Sequence, residues 1–500
     1  MSQFMKATAD PRAPASEPAK VPKIFDSTKT IRNIRRLIWL YLWLLIFEGA
    51  FRKWIVPQYS APLLLIRDPV VLGIYLLALR ARIFPQNVYV ISLVILAILS
   101  WAAGIIVLLP YLPIKTIVLV TGYGVRSNFL HLPLIFIIPA LFDEEDVKRV
   151  GWWTIIGMIP MALLMAMQFA SAPDAYINRA AGLGEGLQIS AGGGKIRPPA
   201  LFSFVSGTVY YASAAAAFLL HAVVAKLRYR QWLLYASAGA LILALGVSGS
   251  RSAVLAVVMV VASLGVILLV RPSLVDRTGR HLLLAVMMLG AISYLPIFRE
   301  GLGILSDRFT ESAEEQSIVG GLIGRTLSGF TEGLLVLNRV PVGGYGLGVG
   351  TSGGASFLTG QASFLLAENE WSRILLESGP ILGLAFLIWR TAIAAKLGLF
   401  AIRQVRLGNT LPLFLFSAGV FVMLQGPLGQ PTTLGFAVVF MGLGLAARPK
   451  APALAEAMAE APPNEPLSPP PRRTMRRSAY AERLHGAGPR RYPDHGPFDR

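Results

Sequence analysis

Long apolar runs separated by short polar connections fill the chain between residues 37 and 447. A helix needs roughly 20 apolar residues to cross the hydrocarbon core of a membrane. The pattern therefore predicts an all-α fold, a polytopic membrane helix bundle of about 12 transmembrane helices. We place the spans at residues 37–57, 62–80, 88–109, 114–140, 151–170, 204–225, 231–248, 253–270, 281–297, 374–393, 411–428 and 432–447.

Four segments depart from this apolar pattern. Residues 1–36 form a basic N-terminal tail, and residues 448–500 form a Pro- and Arg-rich tail that we predict to be disordered. The connections at 171–203 and 298–373 are much longer than the others, so we expect an extracytoplasmic function to reside there. An even number of spans puts both tails on one side, and their Lys and Arg content predicts that this side is cytoplasmic.

Composition supports a membrane protein and excludes several other classes. The chain is 54% hydrophobic and 15% charged, with a net charge of +19. The basic residues lie at the ends of apolar runs and in the tails, which indicates membrane topology and contact with anionic lipids rather than nucleic acid binding. Because the chain has no cysteine, thiol catalysis and thiolate metal sites are excluded. The five histidines lack metal-ligand spacing, so we predict no metal site.

Basic residues in the first long loop oppose the usual charge bias of outer loops. Arg179, Lys195 and Arg197 lie there, and Pro198 and Pro199 stiffen the chain directly after Arg197. Arg197 is therefore expected near the membrane surface, where it could bind a substrate anion. Contact with a lipid headgroup is the simpler alternative.

Arg251 stands in the motif VSGSRSAVL, between two apolar runs. An arginine in hydrocarbon is costly, although at a tight turn it can extend its side chain toward water. Ser248, Ser250 and Ser252 supply hydroxyl donors beside it. A guanidinium with neighbouring hydroxyls suits a phosphate, so we interpret Arg251 as a phosphate ligand.

The stretch LAENEWSRILLESG places several charges at the start of an apolar segment. Asn369 is predicted to cap the helix that follows. Glu370, Arg373 and Glu377 fall on one helical face and can neutralise each other as ion pairs. Glu368 precedes the helix and can face the outer loop, where a carboxylate is a competent general base for a sugar hydroxyl.

Other polar motifs have a structural interpretation. The glycine run at 343–354 lacks the spacing of a phosphate-binding loop, which favours close backbone packing or a mobile flap. The acidic run at 143–146 is predicted to be a solvated helix start rather than a metal site. The remaining charges lie within or beside spans. Glu48 is predicted to pair with Arg52, and Arg67 with Asp68. Arg126 and His131 are predicted to form hydrogen bonds inside the bundle, but they are five residues apart and so poorly aligned on one helical face.

Two of these motifs resemble those of the O-antigen polymerase and O-antigen ligase superfamily of bacterial polysaccharide assembly. The family has an arginine in an SxSR turn, which VSGSRSAVLAVV matches at Arg251. A second motif, roughly HNxYLxxLLExGxxG, matches ENEWSRILLESGPILG with Asn369, Glu377, Gly379 and Gly383 in register. The family's histidine position is occupied here by Glu368.

The resemblance implies glycosyl transfer on the outer face of the bacterial cytoplasmic (inner) membrane. The donor would be an undecaprenyl-diphosphate-linked oligosaccharide and the acceptor a sugar hydroxyl, without a metal or another cofactor. Arg251, Arg197, Arg179 and Lys195 would bind the diphosphate, and Glu368 would be the base. Supporting roles fall to the remaining polar residues of the second motif: Asn369, Glu370, Arg373 and Glu377. Expected partners are membrane lipids and, for a polymerase, a chain-length regulator.

Three other functions remain open on the sequence alone. A ligase of the same family would transfer finished polymer to a lipid or protein acceptor. A polysaccharide flippase or transporter would have a similar number of spans, but it would line a path at the membrane midplane with charges. A scaffold could recruit cytoplasmic partners through the C-terminal tail, and this role is compatible with each of the others.

Overall fold

A computed structural model describes residues 27–182, 188–272, 275–315, 329–361 and 364–448. Of the predicted tails at 1–36 and 448–500, residues 1–26 and 449–500 lie outside the described residues, and residues 27–36 already belong to the first helix. In the described part the only strands are β1 (Ser190–Gly192) and β2 (Lys195–Ile196), which pair antiparallel. The helices are α1 (Ser27–Ala50), α2 (Ser60–Leu63), α3 (Asp68–Arg80), α4 (Val88–Leu108), α5 (Ile114–Val125), α6 (Leu134–Leu141), α7 (Glu144–Ala170), α8 (Val205–Val224), α9 (Gln231–Val247), α10 (Arg251–Val270), α11 (Val275–Ile292), α12 (Pro296–Glu315), α13 (Ser352–Thr359), α14 (Glu370–Arg406), α15 (Leu411–Gln425) and α16 (Pro431–Ala446).

The predicted all-α membrane fold is confirmed at the level of its helices. Among the described residues, six helices are long and apolar enough to cross a membrane, or up to eight if each of two bent pairs is one span. Three shorter apolar helices, α9, α15 and α16, also coincide with predicted spans. The exact number of twelve spans stays a prediction.

Helix α8 lies at the centre of the bundle. Its apolar window is 83% buried, whereas that of α4 is only 22% buried. The run of small residues at 212–217 lets neighbouring helices approach α8 closely, and it packs against α7, α9, α10 and α15. Exposed Ile91, Ile98 and Ile106 on α4 form an apolar surface of the kind that faces lipid.

The segment expected as a long loop at 298–373 is partly helical. It contains most of α12, a helical stretch at 329–336, and α13. The chain bends by 99° between Leu283–Ile292 and Pro296–Arg308, so α12 turns across the end of α11. Gly246 of α9 has no side chain, and this lets Phe298 pack against it. Helix α12 therefore lies against the end of α9, next to the turn that carries Arg251.

Candidate functional site

A short hairpin holds two of the predicted cations. Strands β1 and β2 are joined through Gly192, Gly193 and Gly194, all of which have positive φ angles that favour glycine. The backbone N–H of Arg197 donates to the carbonyl of Ile189 at 2.8 Å, so the pairing continues past β2. The hairpin thereby fixes the backbone of Arg197, as the two following prolines had suggested.

The turn between α9 and α10 packs directly on this hairpin. Gly249 has a φ of +54°, and a side chain there would meet Ala191 and the Arg197 side chain. Arg251 is the first residue of α10, and its Nη1 donates to the carbonyl of Arg308 at 2.8 Å. The structure thus brings Arg251 and Arg197 to the same place, although 54 residues separate them in the chain.

Arg308 is a third cation at this place, and the sequence analysis missed it. Its Nε donates to the carbonyl of Ala191 at 2.7 Å and its Nη2 to that of Ser190 at 3.3 Å. Helix α12 therefore contacts the hairpin through Arg308. The available signal was a basic residue in a long outer connection that already held other cations, but only the fold shows which one reaches the hairpin.

We call Arg197, Arg251 and Arg308 the arginine triad. The pKa of Arg197 reflects the positive charges of the other two arginines. Burial lowers the pKa of Arg197, and the positive charges of Arg308 and Arg251 lower it further. Its Nε is buried and has no hydrogen-bond partner among the described residues. A guanidinium in this state gains hydrogen bonds and charge neutralisation when an oxyanion binds.

Two predicted diphosphate ligands make other contacts. The ammonium of Lys195 pairs with Glu300 at 3.4 Å and lies over the ring of Phe169. Arg179 donates to the carbonyl of Gly182 at 3.4 Å and stacks on Tyr176. Neither makes a hydrogen bond to the triad in the described part of the chain, so their predicted role in diphosphate binding has no geometric support.

The start of α14 follows the sequence prediction. The Asn369 side chain accepts from the backbone N–H of Trp371 at 2.9 Å and caps the helix. Its amide nitrogen also donates to the carbonyl of Gly329 at 3.0 Å. Glu368 is exposed, and with the described residues it forms neither a hydrogen bond nor an ion pair. Its carboxylate is therefore accessible to a substrate.

Four charged residues of α14 form a buried ion network. Arg373 pairs with Glu370 at 2.9 Å and with Glu377 at 2.8 Å, as predicted, and also donates to the Asn128 side chain. Arg390, which the sequence analysis did not consider, pairs with Glu370 at 3.0 Å and donates to carbonyls at the end of α15. We call these four ionised residues the α14 network. Each charge in it has an opposite charge, which supports a structural role.

The glycine run closes over this network. The backbone N–H of Gly350 donates to Glu377 at 2.9 Å. Gly344 and Gly348 have positive φ angles and pack directly against backbone atoms of other segments, where a side chain would clash. Gly379, with a φ of +77°, breaks α14 beside Gly344. The expectation of close backbone packing for this run therefore agrees with its geometry.

Arg251 and Glu368 lie at the same end of the bundle. The Nη2 of Arg271, which directly follows α10, donates to the carbonyl of Arg406 at 3.1 Å, just before α15 begins. At the opposite end of α15, the indole N–H of Trp371 donates to the carbonyl of Leu424. Helix α10 packs along α15, so it runs antiparallel to α15 and begins at the end where α14 also begins. We call this the Arg251 end.

A second group of buried charges lies on α1, α3 and the segment after α5. Arg67 pairs with Glu48 rather than with its neighbour Asp68, which corrects one predicted pair, whereas the Glu48–Arg52 pair forms at 3.5 Å. Asp68 binds both Arg126 and His131. Their predicted misalignment is wrong because residues 126–130 form a π-helical turn, which brings residues five apart to the same side.

The described part of the chain contains no candidate metal-binding site. No group of three or more His, Asp or Glu side chains there could hold an ion. Within the acidic run, Asp143 and Asp146 form a reciprocal capping box at the start of α7, and both bind Arg35. These contacts agree with the expected helix start, although Asp146 is buried rather than solvated.

No family model matches the chain, and no characterised protein matches its sequence.

Proposed function

We propose that this protein is a metal-independent membrane glycosyltransferase that polymerises the repeat units of a bacterial exopolysaccharide or O-antigen. It would transfer the glycan of an undecaprenyl-diphosphate-linked oligosaccharide to a sugar hydroxyl at the outer face of the cytoplasmic membrane, with both termini in the cytoplasm. The observation that carries the proposal is the convergence of Arg197 and Arg251 with Arg308 on one hairpin. Membrane lipids and a chain-length regulator are the proposed partners.

The arginine triad suits the leaving group of this reaction. When the bond between the anomeric carbon and the phosphate oxygen breaks, the electron pair stays on the diphosphate and its negative charge grows. Fixed donors that lie where charge develops stabilise a transition state more than the ground state. Arg251 and Arg197 have the charge for this role, and Arg308, which accepts a hydrogen bond from Arg251 and interacts electrostatically with Arg197, completes the triad.

Glu368 is the proposed general base. As the acceptor oxygen forms its bond to the anomeric carbon, it must lose its proton, and an exposed carboxylate at the same end of the bundle can accept it. Asn369 fixes the chain next to this base by its cap and its contact with Gly329. Glu370, Arg373 and Glu377 hold the start of α14 in place from inside the bundle.

The test is polymer formation in cells that depend on this protein, with glycans separated on a gel. Arg251→Ala and Glu368→Gln are each expected to reduce the polymer strongly while the protein is still inserted at normal levels. Arg179→Ala is the control, since this arginine lies in the same long connection as Arg197 but contacts its own segment. Undiminished polymer from well-expressed Arg251→Ala and Glu368→Gln proteins would remove the proposal.

A ligase uses the same donor chemistry with a different acceptor. Purified protein supplied with lipid-linked oligosaccharide alone would lengthen the glycan if it is a polymerase. A ligase would leave the glycan unchanged until a lipid-core or protein acceptor is added.

A flippase or transporter is a second candidate, and the buried charges around Asp68 favour it. Charges at breaks in membrane helices are typical of substrate paths in transporters. Sealed vesicles that contain the purified protein separate the two functions. Movement of the lipid-linked oligosaccharide without a new glycosidic bond would favour transport, and bond formation would favour the transferase.

A further inference from the structure

Three interruptions of helical structure meet around the second group of charges. Residues Phe51–Ile55 form a π-helical turn after α1, residues 64–67 form a turn before α3, and residues Arg126–Leu130 form another π-helical turn after α5. Irregular backbone within a membrane protein is tolerated where it is buried in protein or lines a polar cavity. Single π-helical turns are frequent at functional sites. The triad and Glu368 account for none of these features.

The charges at these interruptions form one connected cluster. Glu48 bridges Arg52 and Arg67, at 3.5 and 3.2 Å. Asp68 bridges Arg126 and His131, at 2.6 and 2.9 Å. Tyr123 lies between the two halves, because the Arg126 guanidinium is 5.1 Å from the centroid of its ring and it also interacts electrostatically with Arg52 and Glu48. We call this set the helix-break cluster (Glu48, Arg52, Arg67, Asp68, Tyr123, Arg126 and His131).

Positive charge exceeds negative charge in this cluster. Three guanidinium groups face two carboxylates, so one positive charge remains when His131 is neutral. Lys53 lies at the edge of the cluster, where its side-chain nitrogen donates to the carbonyl of Ala200 and lies over the ring of Trp54. A singly charged anion would neutralise the one positive charge that the two carboxylates leave on the three guanidinium groups of the cluster.

Unused donors point to the same conclusion. The Arg126 side chain is 8% exposed, and its Nη1 is buried with no partner among the described residues. The Nη1 of Arg67 is also unpartnered, but it lies against Gly435 and has no space for a ligand. A buried donor without an acceptor is unfavourable. The hydroxyl of Tyr123 makes no hydrogen bond to the described residues either, although its ring packs on Gly353 and near Phe357.

We propose that the helix-break cluster binds a carboxylate group on the acceptor glycan, such as that of a uronic acid, through Arg52, Arg126 and Tyr123. The assignment of the ligand to the acceptor rests on the proposed glycosyl transfer, but the anion site itself does not. A carboxylate is planar and singly charged, so it matches both the guanidinium fork and the charge excess. A diphosphate diester carries two negative charges, one more than the two carboxylates leave uncompensated on the three guanidinium groups.

The surroundings favour a glycan over a lipid headgroup. Arg52 donates to Ser60 and to the Ser203 hydroxyl, and Arg67 donates to the carbonyl of Pro431, so protein segments enclose the cluster on several sides. Among the ion-paired residues of the cluster, only Arg52 and Asp68 have side chains that are more than a tenth exposed. A lipid headgroup would need an opening toward the apolar surface rather than toward these polar connections.

The cluster also lies within reach of the arginine triad. Arg52 contacts Ser203, which follows Arg197 by six residues. Six extended residues span at most about 20 Å, so Arg52 and Arg197 lie at the two ends of one short segment. This separation suits an acceptor sugar that is held at the helix-break cluster while a donor diphosphate occupies the triad.

Binding of a charged and an uncharged form of one glycan tests the proposal. Purified full-length protein in nanodiscs of neutral phosphatidylcholine is titrated with a glucuronate-containing oligosaccharide and with the same oligosaccharide after carboxyl reduction. We expect the acidic form to bind at least about tenfold more tightly, because charge-assisted hydrogen bonds are lost on reduction. Equal binding of the two forms, or binding of neither, would overturn the proposal.

Variants of Arg52 test the site itself. Arg52→Gln removes the excess charge but keeps the Glu48–Arg67 and Asp68–Arg126 pairs, so it is expected to abolish the preference for the acidic form. Arg52→Lys is expected to keep part of it. Tyr123→Phe provides a second variant, since it keeps the ring on Gly353 and removes only the hydroxyl, and it is expected to weaken binding of the acidic form severalfold. An unchanged preference in folded Arg52→Gln or Tyr123→Phe protein would contradict the site.

Two further arms separate the alternatives. If anionic phosphatidylglycerol displaces the acidic oligosaccharide through Arg52, the natural ligand is a headgroup phosphate and the glycan assignment is wrong. Arg251→Gln is expected to retain binding of the acidic oligosaccharide. If the wild-type protein binds the acidic oligosaccharide but makes no polymer under any condition, the proposed transferase is refuted while the anion site stands.

Discussion

Two groups of arginines near the Arg251 end differ in how their charge is compensated. In the α14 network, Arg373 and Arg390 both pair with Glu370, and Arg373 pairs in addition with Glu377. In the arginine triad, Arg197 has a buried Nε without a described partner, and burial together with the charges of Arg308 and Arg251 lowers its pKa. The charges of the first group are compensated without a ligand, whereas Arg197 in the second group would gain hydrogen bonds and charge neutralisation from a bound anion.

This difference separates stability from function. A buried, matched network becomes unfavourable when one partner is removed, because the other charge is left uncompensated. A cation that is partly desolvated next to other cations costs stability and is retained where a ligand uses it. Mutations in the two groups should therefore change different measured quantities.

The largest effect is expected from Glu370→Gln, which removes a carboxylate that two guanidinium groups share. Loss of one partner of a buried ion pair typically costs about 3–5 kcal/mol. We expect a correspondingly lower free energy of unfolding, or a lower midpoint of thermal unfolding in detergent. Glu145→Gln serves as the control, because it removes one partner of an exposed ion pair, that with Arg149. An unfolding midpoint equal to that of the wild type would show that the α14 network contributes little to the fold.

Arg251→Ala is expected to act on rate rather than on stability. Removal of one preorganised donor from a developing oxyanion typically lowers turnover by about 10²–10³-fold. Turnover of lipid-linked oligosaccharide by purified protein measures this, with thermal unfolding as the parallel readout. A large loss of stability with little loss of turnover would place Arg251 with the structural arginines instead.

Glu368→Gln should lower turnover by about 10²-fold, at the lower limit for a general base because this carboxylate is exposed. Its stability should stay within about 0.5 kcal/mol of the wild type, since Glu368 makes no described hydrogen bond or ion pair. Glu368→His, which introduces an imidazole base, should recover part of the rate. If Gln at this position supports full turnover, another group accepts the proton.

The smallest effect is expected in the stability of Arg197→Gln. Because the substitution removes a desolvated cation next to Arg251 and Arg308, stability should rise, although solvent screening limits the gain to less than about 1 kcal/mol. Turnover should fall at the same time. Arg197→Lys, which keeps the charge, is the control for stability. A less stable Arg197→Gln protein would indicate that this arginine is bound by an acid and belongs to the fold.

Sequence reasoning reached the parts of the molecule that depend on local pattern. The apolar runs predicted the helices, and the i, i+3 and i+7 spacing of Glu370, Arg373 and Glu377 predicted their mutual pairing. The cap at Asn369 also followed from residue type and position. In each case the interacting groups are close in the chain, so their geometry is set by the helix itself.

Long-range contacts were missed because no local pattern encodes them. Arg308 reaches the hairpin only because α12 bends by 99° and lies against α9. Arg390 meets Glu370 from the other part of a helix that Gly379 interrupts. Arg126 and His131 share Asp68 only because a π-helical turn changes the helical period. Breaks in regular structure therefore decided which charges meet.

The most direct test of the account is the affinity of undecaprenyl diphosphate for the purified protein in nanodiscs. Wild-type protein is expected to bind it saturably, with at least about tenfold weaker binding in Arg251→Gln and Arg197→Gln, because each substitution removes charge-assisted hydrogen bonds to the diphosphate. Arg179→Gln should bind as the wild type does. Equal affinity in folded wild-type, Arg251→Gln and Arg197→Gln proteins would contradict the claim that the arginine triad receives the diphosphate.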